Sequence, residues 1–388
     1  MERVCKRLGC ALAALTLLVC AGCASVPGAE RTDAPADAAR SAETPEALYE
    51  RALQEDVLIV YTVSTRVTAV KEAFEAAYPG LCVEVRDLRS PDLVDAVEKN
   101  HREGLSACDV VLCNDNSGDF KARLVDTGVV VPYLPDDIAP HMKEPLSGGV
   151  LPFVYEAELL FYDGTRFDAC PIGNLWALTE ERWRGRIYMP NPLRSFSTYA
   201  FCGASFERSD ELAKAYRDYA GEELPVPEGS NAAEEFWRRA AKNIVFTNSS
   251  DEVAEALGNG EADFGVMVSS KLRLRGVGYG LAPVWRLEPF SGCRTSCAAM
   301  LAADAKNVNC AKLFLRFLMG EADGKGAGCE PFRTPGTWSA RDDVADGTDV
   351  PLSEVDLIVP NQERLIAQRA ELERFWAEIL KENTADEP

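Results

Sequence analysis

The alternation of short apolar runs with helical segments over residues 57–113 constrains the fold of this chain most. Val57 to Tyr61 (VLIVY) is a continuous apolar run of strand length. Arg66 to Tyr78 follows, with Val67, Val70, Phe74 and Ala77 at helical spacing. Leu81 to Val85 reads as the next strand, Asp92 to Arg102 as a helix, and Asp109 to Cys113 (DVVLC) as a third strand. Such alternation implies a parallel sheet with right-handed crossovers. Ligands of such sheets sit beyond the carboxyl ends of the strands. Those ends hold Ser64, Thr65 and Arg66, and then Asn114 and Asp115, all small or able to hydrogen-bond. The same residue types also populate ordinary turns.

A second α/β unit follows. It reads as strand Ile187–Met189, helices Thr198–Phe206, Glu211–Tyr219 and Ala232–Lys242, strand Ile244–Thr247, helix Asp251–Leu257 and strand Phe264–Val268. A chain of 388 residues exceeds one comfortable core, so two lobes are expected. Residues 153–162 (FVYEAELLFY) and roughly 264–290 are extended runs placed to cross between lobes. Two crossings make a hinge, and facing polar loops make a cleft. The expected division is residues 49–152 for lobe 1, 153–284 for lobe 2, and 285–388 for a return to lobe 1 with C-terminal helices. Leu365, Leu372, Trp376 and Ile379 mark one face of an amphipathic helix that packs across a lobe.

The stretch Arg186–Gly203 (RIYMPNPLRSFSTYAFCG) combines a short strand, a Pro-Asn-Pro break and a helix start rich in hydroxyls. The first N–H groups of a helix are free, and the positive end of its dipole faces outward. With Arg194, Ser195, Ser197 and Thr198 beside it, this is an anion-binding device. One of these serines also fits as a plain N-cap. Tyr199, Ser269 and Ser270 complete the candidate ligand set on this side of the cleft.

The N-terminus carries an export signal. Arg3, Lys6 and Arg7 precede an apolar stretch, Ala11 to Val19, too short to span a bilayer. Residues 23–48 are Ala, Pro, Asp, Glu, Ser and Thr with few large apolar side chains, and read as a disordered tether. The formal net charge of −21 argues against nucleic-acid partners. Nine cysteines lie beyond Cys23, and the exported setting permits disulfides among them, with at least one thiol left over. The two histidines, His101 and His141, stand in polar surroundings, and no metal site is expected. No G-x-S-x-G is present, and neither histidine is near a strand end, so an ectoenzyme is disfavoured.

Val19-Cys20-Ala21-Gly22-Cys23 resembles the bacterial lipoprotein box, which implies cleavage after residue 22 and lipidation of Cys23. The mature chain resembles the extracellular solute-binding proteins of ABC importers. It is closest to the two-lobed type 2 branch that includes ferric-iron, thiamine, phosphonate and phosphorylated-sugar binders. LIVYTVSTRVTAVKEAFEAAYPGLCVEV looks like the opening strand, binding loop and helix of that family. GVLPFVYEAELLFYD looks like its first hinge strand, and VAEALGNGEADFGVMVSS like a later strand. The resemblance implies a non-enzymatic, cofactor-free, monomeric protein held outside the cytoplasm. It would close on a small solute and dock on a membrane permease served by an ATPase. Iron binders of the family carry a tyrosine pair where this chain has Ser269-Ser270. A phosphate- or carboxylate-bearing solute, with Arg66 or Arg194 as counter-charge, is therefore expected over ferric iron. A solute-sensing receptor lipoprotein would have the same fold and pocket.

Overall fold

A computed structural model of the protein describes residues 40–41, 43–114, 116–144, 146, 148–321 and 326–385. The expected signal at residues 1–22, Cys23 and Asp115 lie outside the described residues.

The ordered fold begins before Tyr49. Helix α1 (Pro45–Ala52) is capped by Thr44, whose hydroxyl accepts from the Ala47 N–H, and it buries Leu48 and Ala52. The end of the expected tether is therefore helical: Pro45 suits the first helical turn, and Leu48 supplies an apolar anchor.

From there strand and helix alternate. β1 (Leu58–Thr62) leads to α2 (Val67–Ala77), which turns Val67, Val70 and Phe74 inward as their spacing requires. β2 (Val83–Asp87), α3 (Ser90–Arg102) and β3 (Val110–Asn114) follow. β1 lies between β2 and β3, parallel to both. The second unit contains β5 (Ile187–Pro190), α4 (Phe196–Glu207), α5 (Ser209–Ala220), α6 (Ala232–Ala240), β6 (Ile244–Thr247), α7 (Ser250–Gly258) and β7 (Phe264–Val268). Here β5 is parallel to both β6 and β7.

Two long strands join the parallel triplets. β4 (Pro152–Asp163) runs antiparallel to β7 through its second half, and β8 (Gly292–Ala302) runs antiparallel to β3 through its second half. They pair with each other between Gly292↔Leu159 and Ala298↔Pro152. The strand order is β2-β1-β3-β8-β4-β7-β5-β6. The fold is thus α/β and two-lobed, with two crossing strands. The return crossing is not at 264–290 as expected. Ser269–Val277 is a helical stretch, and the return is made by GCRTSCAAMLA. Its small side chains let β8 lie between β3 and β4, and mask the periodicity of an ordinary strand.

Separate cores support the two halves. Phe74, Val60, Leu112, Phe314 and Leu318 belong to one, with α8 (Val308–Met319) covering the sheet. Trp176, Phe201, Trp237, Phe264 and Phe290 belong to another. The C-terminal helices α9 (Gln362–Ala367) and α10 (Arg369–Ala385) add Leu365, Leu372, Trp376 and Ile379 to that second core. Among the described residues no disulfide joins the cysteines from Cys82 to Cys329. Among the described residues no helix is long and apolar enough to cross a membrane.

Candidate functional site

Parallel strands put their carboxyl ends and the following helix N-termini on one side of a sheet. Four such junctions ring a single cleft of about 500 Å³. They are Val63–Arg66 before α2, Asp87–Ser90 before α3, Arg194–Ser197 at α4 and Asn248–Asp251 at α7. Ser195 caps α4 by accepting from the Thr198 N–H at 3.3 Å, and Ser249 caps α7 by accepting from the Glu252 N–H at 3.3 Å. These caps leave the first N–H groups of each helix facing the cleft, with the dipoles adding positive potential.

The crossing strand β4 forms part of the lining. Its near-continuous apolar run is interrupted by Glu156 and Glu158, alternate residues on one face of the strand. Both line the cleft and are almost wholly buried, at 3 % and 1 % exposure. Arg66 Nη2 donates to Glu156 Oε1 at 2.5 Å, and Arg66 Nε donates to Ser64 Oγ at 3.1 Å. The guanidinium also stacks 4.3 Å from the centre of the Phe332 ring. Thr198 Oγ1 donates to Glu158 Oε1 at 2.6 Å. Burial pushes the Glu158 carboxyl up to about 7; the Thr198 hydrogen bond opposes this, and the neighbouring Glu156 adds to it.

The cleft carries Asp87, Asp92, Glu156, Glu158 and Asp251 against Arg66, Arg89, Arg194, Lys271 and Arg273. Three cations are committed: Arg66 to Glu156, Arg89 to Asp92 at 2.8 Å, and Lys271 to Asp251. Arg194 donates only to Asn248 Oδ1 at 3.3 Å, and Arg273 only to the Ser270 carbonyl at 3.0 Å. Neither has a carboxylate partner among the described residues. Burial, then the Arg66 charge, holds Arg273 below its usual pKa. A site that weakens a guanidinium's proton affinity is one that an anion would relieve.

Of the expected residues, Ser64, Thr65, Arg66, Asn114, Arg194, Ser195, Ser197 and Ser270 line this cleft. Ser197 Oγ accepts from Asn116 Nδ2 at 2.9 Å and Asn114 Nδ2 at 3.4 Å, a contact between the two halves. Three expected residues do not line it. Thr198 is fully buried behind Ser195 and spends its hydroxyl on Glu158. Tyr199 lies under Arg369, 5.4 Å from ring centre to guanidinium. Ser269 is a structural bridge, accepting from the Ala157 N–H at 2.9 Å and donating to the Gly336 carbonyl at 2.5 Å. Helix position explains the first two: successive side chains point in different directions, so only some of a Ser-Phe-Ser-Thr-Tyr run faces the cleft. The role expected for Arg66 also changes, because Glu156 already answers its charge.

Sequence reasoning missed Glu156, Glu158, Lys271 and Arg273. The glutamates were legible as the only charges inside the hinge run, spaced by two. Arg273 carried no such signal, since its place depends on the helical turn after β7.

A family model described as bacterial extracellular solute-binding protein matches residues 57–324. The chain belongs to that family. No curated protein matches the chain. Among solved structures, the periplasmic binding protein AfuA from Actinobacillus pleuropneumoniae, with exogenous fructose-6-phosphate bound, is similar at TM-score 0.64 and 16% identity. That match covers 84% of this chain and 98% of that one. Iron-bound HitA from Pseudomonas aeruginosa is similar at TM-score 0.60 and 17% identity, over 83% of this chain and 99% of that one. A periplasmic thiamin binding protein is similar at TM-score 0.57 and 19% identity, over 84% of this chain and 96% of that one. At these identities the likeness is one of fold. This solute-binding family is a family of transport proteins, not of enzymes.

Proposed function

We propose that this member of the solute-binding family captures a small phosphate- or carboxylate-bearing solute by cleft closure and delivers it to the permease of an ABC importer. The observation that carries the reading is the ring of four helix N-termini around one cleft, with Arg194 and Arg273 in no direct ion pair with a described carboxylate. Fixed N–H dipoles and guanidinium forks suit oxyanions. Ferric iron is not favoured, since no tyrosine among the described residues lines the cleft and Glu156 is spent on Arg66. Closure removes water, and charge-assisted hydrogen bonds then strengthen.

Calorimetry with inorganic phosphate, phosphate esters and carboxylates tests this, with closure followed by small-angle scattering. Arg194→Ala and Arg273→Ala are each expected to weaken the best anion by on the order of 2–5 kcal/mol, because its charge is left unpaired. Tight binding confined to neutral or cationic probes, or unchanged binding in both variants, would overturn the reading.

The reading includes export and lipid anchoring at Cys23, with the protein working as a monomer on the outer face of a membrane. Fractionation of the Cys23→Ala form is expected to find it released or unprocessed; a processed form still held in the membrane would count against the anchor.

A further inference from the structure

Ser197 and Ser205 share helix α4, but their hydroxyl protons meet different fates. Ser205 Oγ donates back to the Cys202 carbonyl at 2.5 Å. Ser197 stands in the first turn, where the residues one turn back precede the helix. Its oxygen accepts from Asn116 Nδ2 at 2.9 Å and from Asn114 Nδ2 at 3.4 Å. The Asn116 amide has only one workable orientation. Its Oδ1 accepts from the Ser296 N–H of β8 at 3.0 Å, and a backbone N–H needs an oxygen. A hydroxyl has two acceptor lone pairs and one proton. The two asparagines use the lone pairs of Ser197, and its proton finds no acceptor among the described residues. Ser197 is 6 % exposed and lines the cleft, as does Asn114. Asn116, at 3 % exposure, is buried outside the lining. A buried hydroxyl with its proton unspent in a cleft wall calls for an explanation.

We propose that Asn116 is a positioning residue for this cleft: by donating to Ser197 it makes that hydroxyl a donor only, so the solute must present an accepting oxygen there. The proposal rests on the anionic reading above and adds the residue that sets the polarity of one contact. A free serine accepts as readily as it donates, and would take an ammonium or an amide N–H of the solute. With its lone pairs occupied, Ser197 meets such a group proton to proton, and a buried site left unpaired in this way rejects the ligand strongly. An ionised carboxylate or phosphate oxygen only accepts, and takes the proton in a charge-assisted bond. Asn116 follows β3, Ser296 belongs to β8 and Ser197 opens α4, so the orientation is set by the fold before the solute arrives.

The test is calorimetry on the full chain with inorganic phosphate, methyl phosphate, glucose 6-phosphate and citrate, carrying the tightest probe through the variants. Ser197→Cys keeps the shape but leaves only a weak S–H donor. It is expected to weaken that probe on the order of tenfold or more, the size of one hydrogen bond to a charged group. Asn116→Asp keeps the oxygen that serves Ser296 and replaces the donating amide by a second acceptor, which captures the Ser197 proton. In that background Ser197→Cys is expected to cost nothing further, and comparison within one background cancels the added charge. Melting curves report whether each variant folds. Neutron crystallography of the deuterated, unaltered protein reads the same point without any variant: the Ser197 deuteron is expected on the cleft side of Oγ, aimed at neither asparagine. Full affinity in Ser197→Cys, the full tenfold step persisting in Asn116→Asp, or a deuteron directed at Asn114 or Asn116 overturns this inference and leaves the anionic reading intact. Binding of none of the four probes overturns both.

Discussion

Glu158 is a charged residue set in a buried environment far from what its sequence context suggests. A carboxyl that titrates near 4.5 in an open chain is pushed up to about 7 at 1 % exposure, with burial as the main cause. The folded state therefore holds this proton more tightly than the unfolded one. The stability linked to it is fully present below pH 4.5 and is lost as pH rises through 7. The ionised residue costs the unliganded protein on the order of 3 kcal/mol above that range. Glu158→Gln keeps the shape without the charge. Calorimetric melting of the ligand-free variant is expected a few degrees above the wild type at pH 8, with the difference gone at pH 4.5. Equal melting at both pH values would show that the carboxylate is not destabilising.

At the scale of elements, the cleft depends on how closely β4 and β8 approach. Gly292 begins β8, and a Cβ there would stand 2.1 Å from the Glu158 carbonyl oxygen. The obstacle is backbone, so it does not rotate away. Gly292→Ala is expected to lower stability by roughly 1–3 kcal/mol or more in urea unfolding, and to weaken solute binding by moving Glu158. A variant as stable as the parent, with unchanged binding, would mean that the strands part without consequence. The helix caps act more locally. Ser195 and Ser249 satisfy N–H groups of α4 and α7, and the helices then present their first turns to the cleft.

At the scale of the molecule, the C-terminal segment is structural. Leu365, Leu372, Phe375, Trp376 and Ile379 are buried in the core of the second half. Arg369 also reaches Asp119, beside the Asn116 that contacts Ser197. The segment therefore touches both sides of the cleft. Removing residues 361–388 takes away five large apolar side chains, each worth about 1.5–3 kcal/mol of burial, and uncovers the core they pack against. The truncated chain is expected to lose its cooperative thermal transition; a sharp transition at an unchanged temperature would show that the segment is dispensable. Charge is balanced within the cleft although the whole chain stands at −21. Net charge thus describes the outer surface, and local arginines decide what the cleft holds.

Much of the architecture was legible because it rests on periodicity. The alternation over 57–113 determined the first parallel triplet, and VTAVKEAFEAA had to form a helix with Val67, Val70 and Phe74 inward. The same logic marked β5, β6, β7 and the hinge run 153–162, and it placed Ser64, Arg194 and Ser197 at strand ends that do line a cleft. Periodicity failed where burial came from neighbours rather than pattern. GCRTSCAAMLA is a central strand because small residues fit between β3 and β4, and nothing local announces it. Only tertiary structure decided the partners. Arg66 and Glu156 stand 90 residues apart and cancel each other; Thr198 meets Glu158 across 40. Whether an arginine is spent or available depends on which carboxylate lies within about 4 Å, and the chain sets that distance only when the sheet has closed.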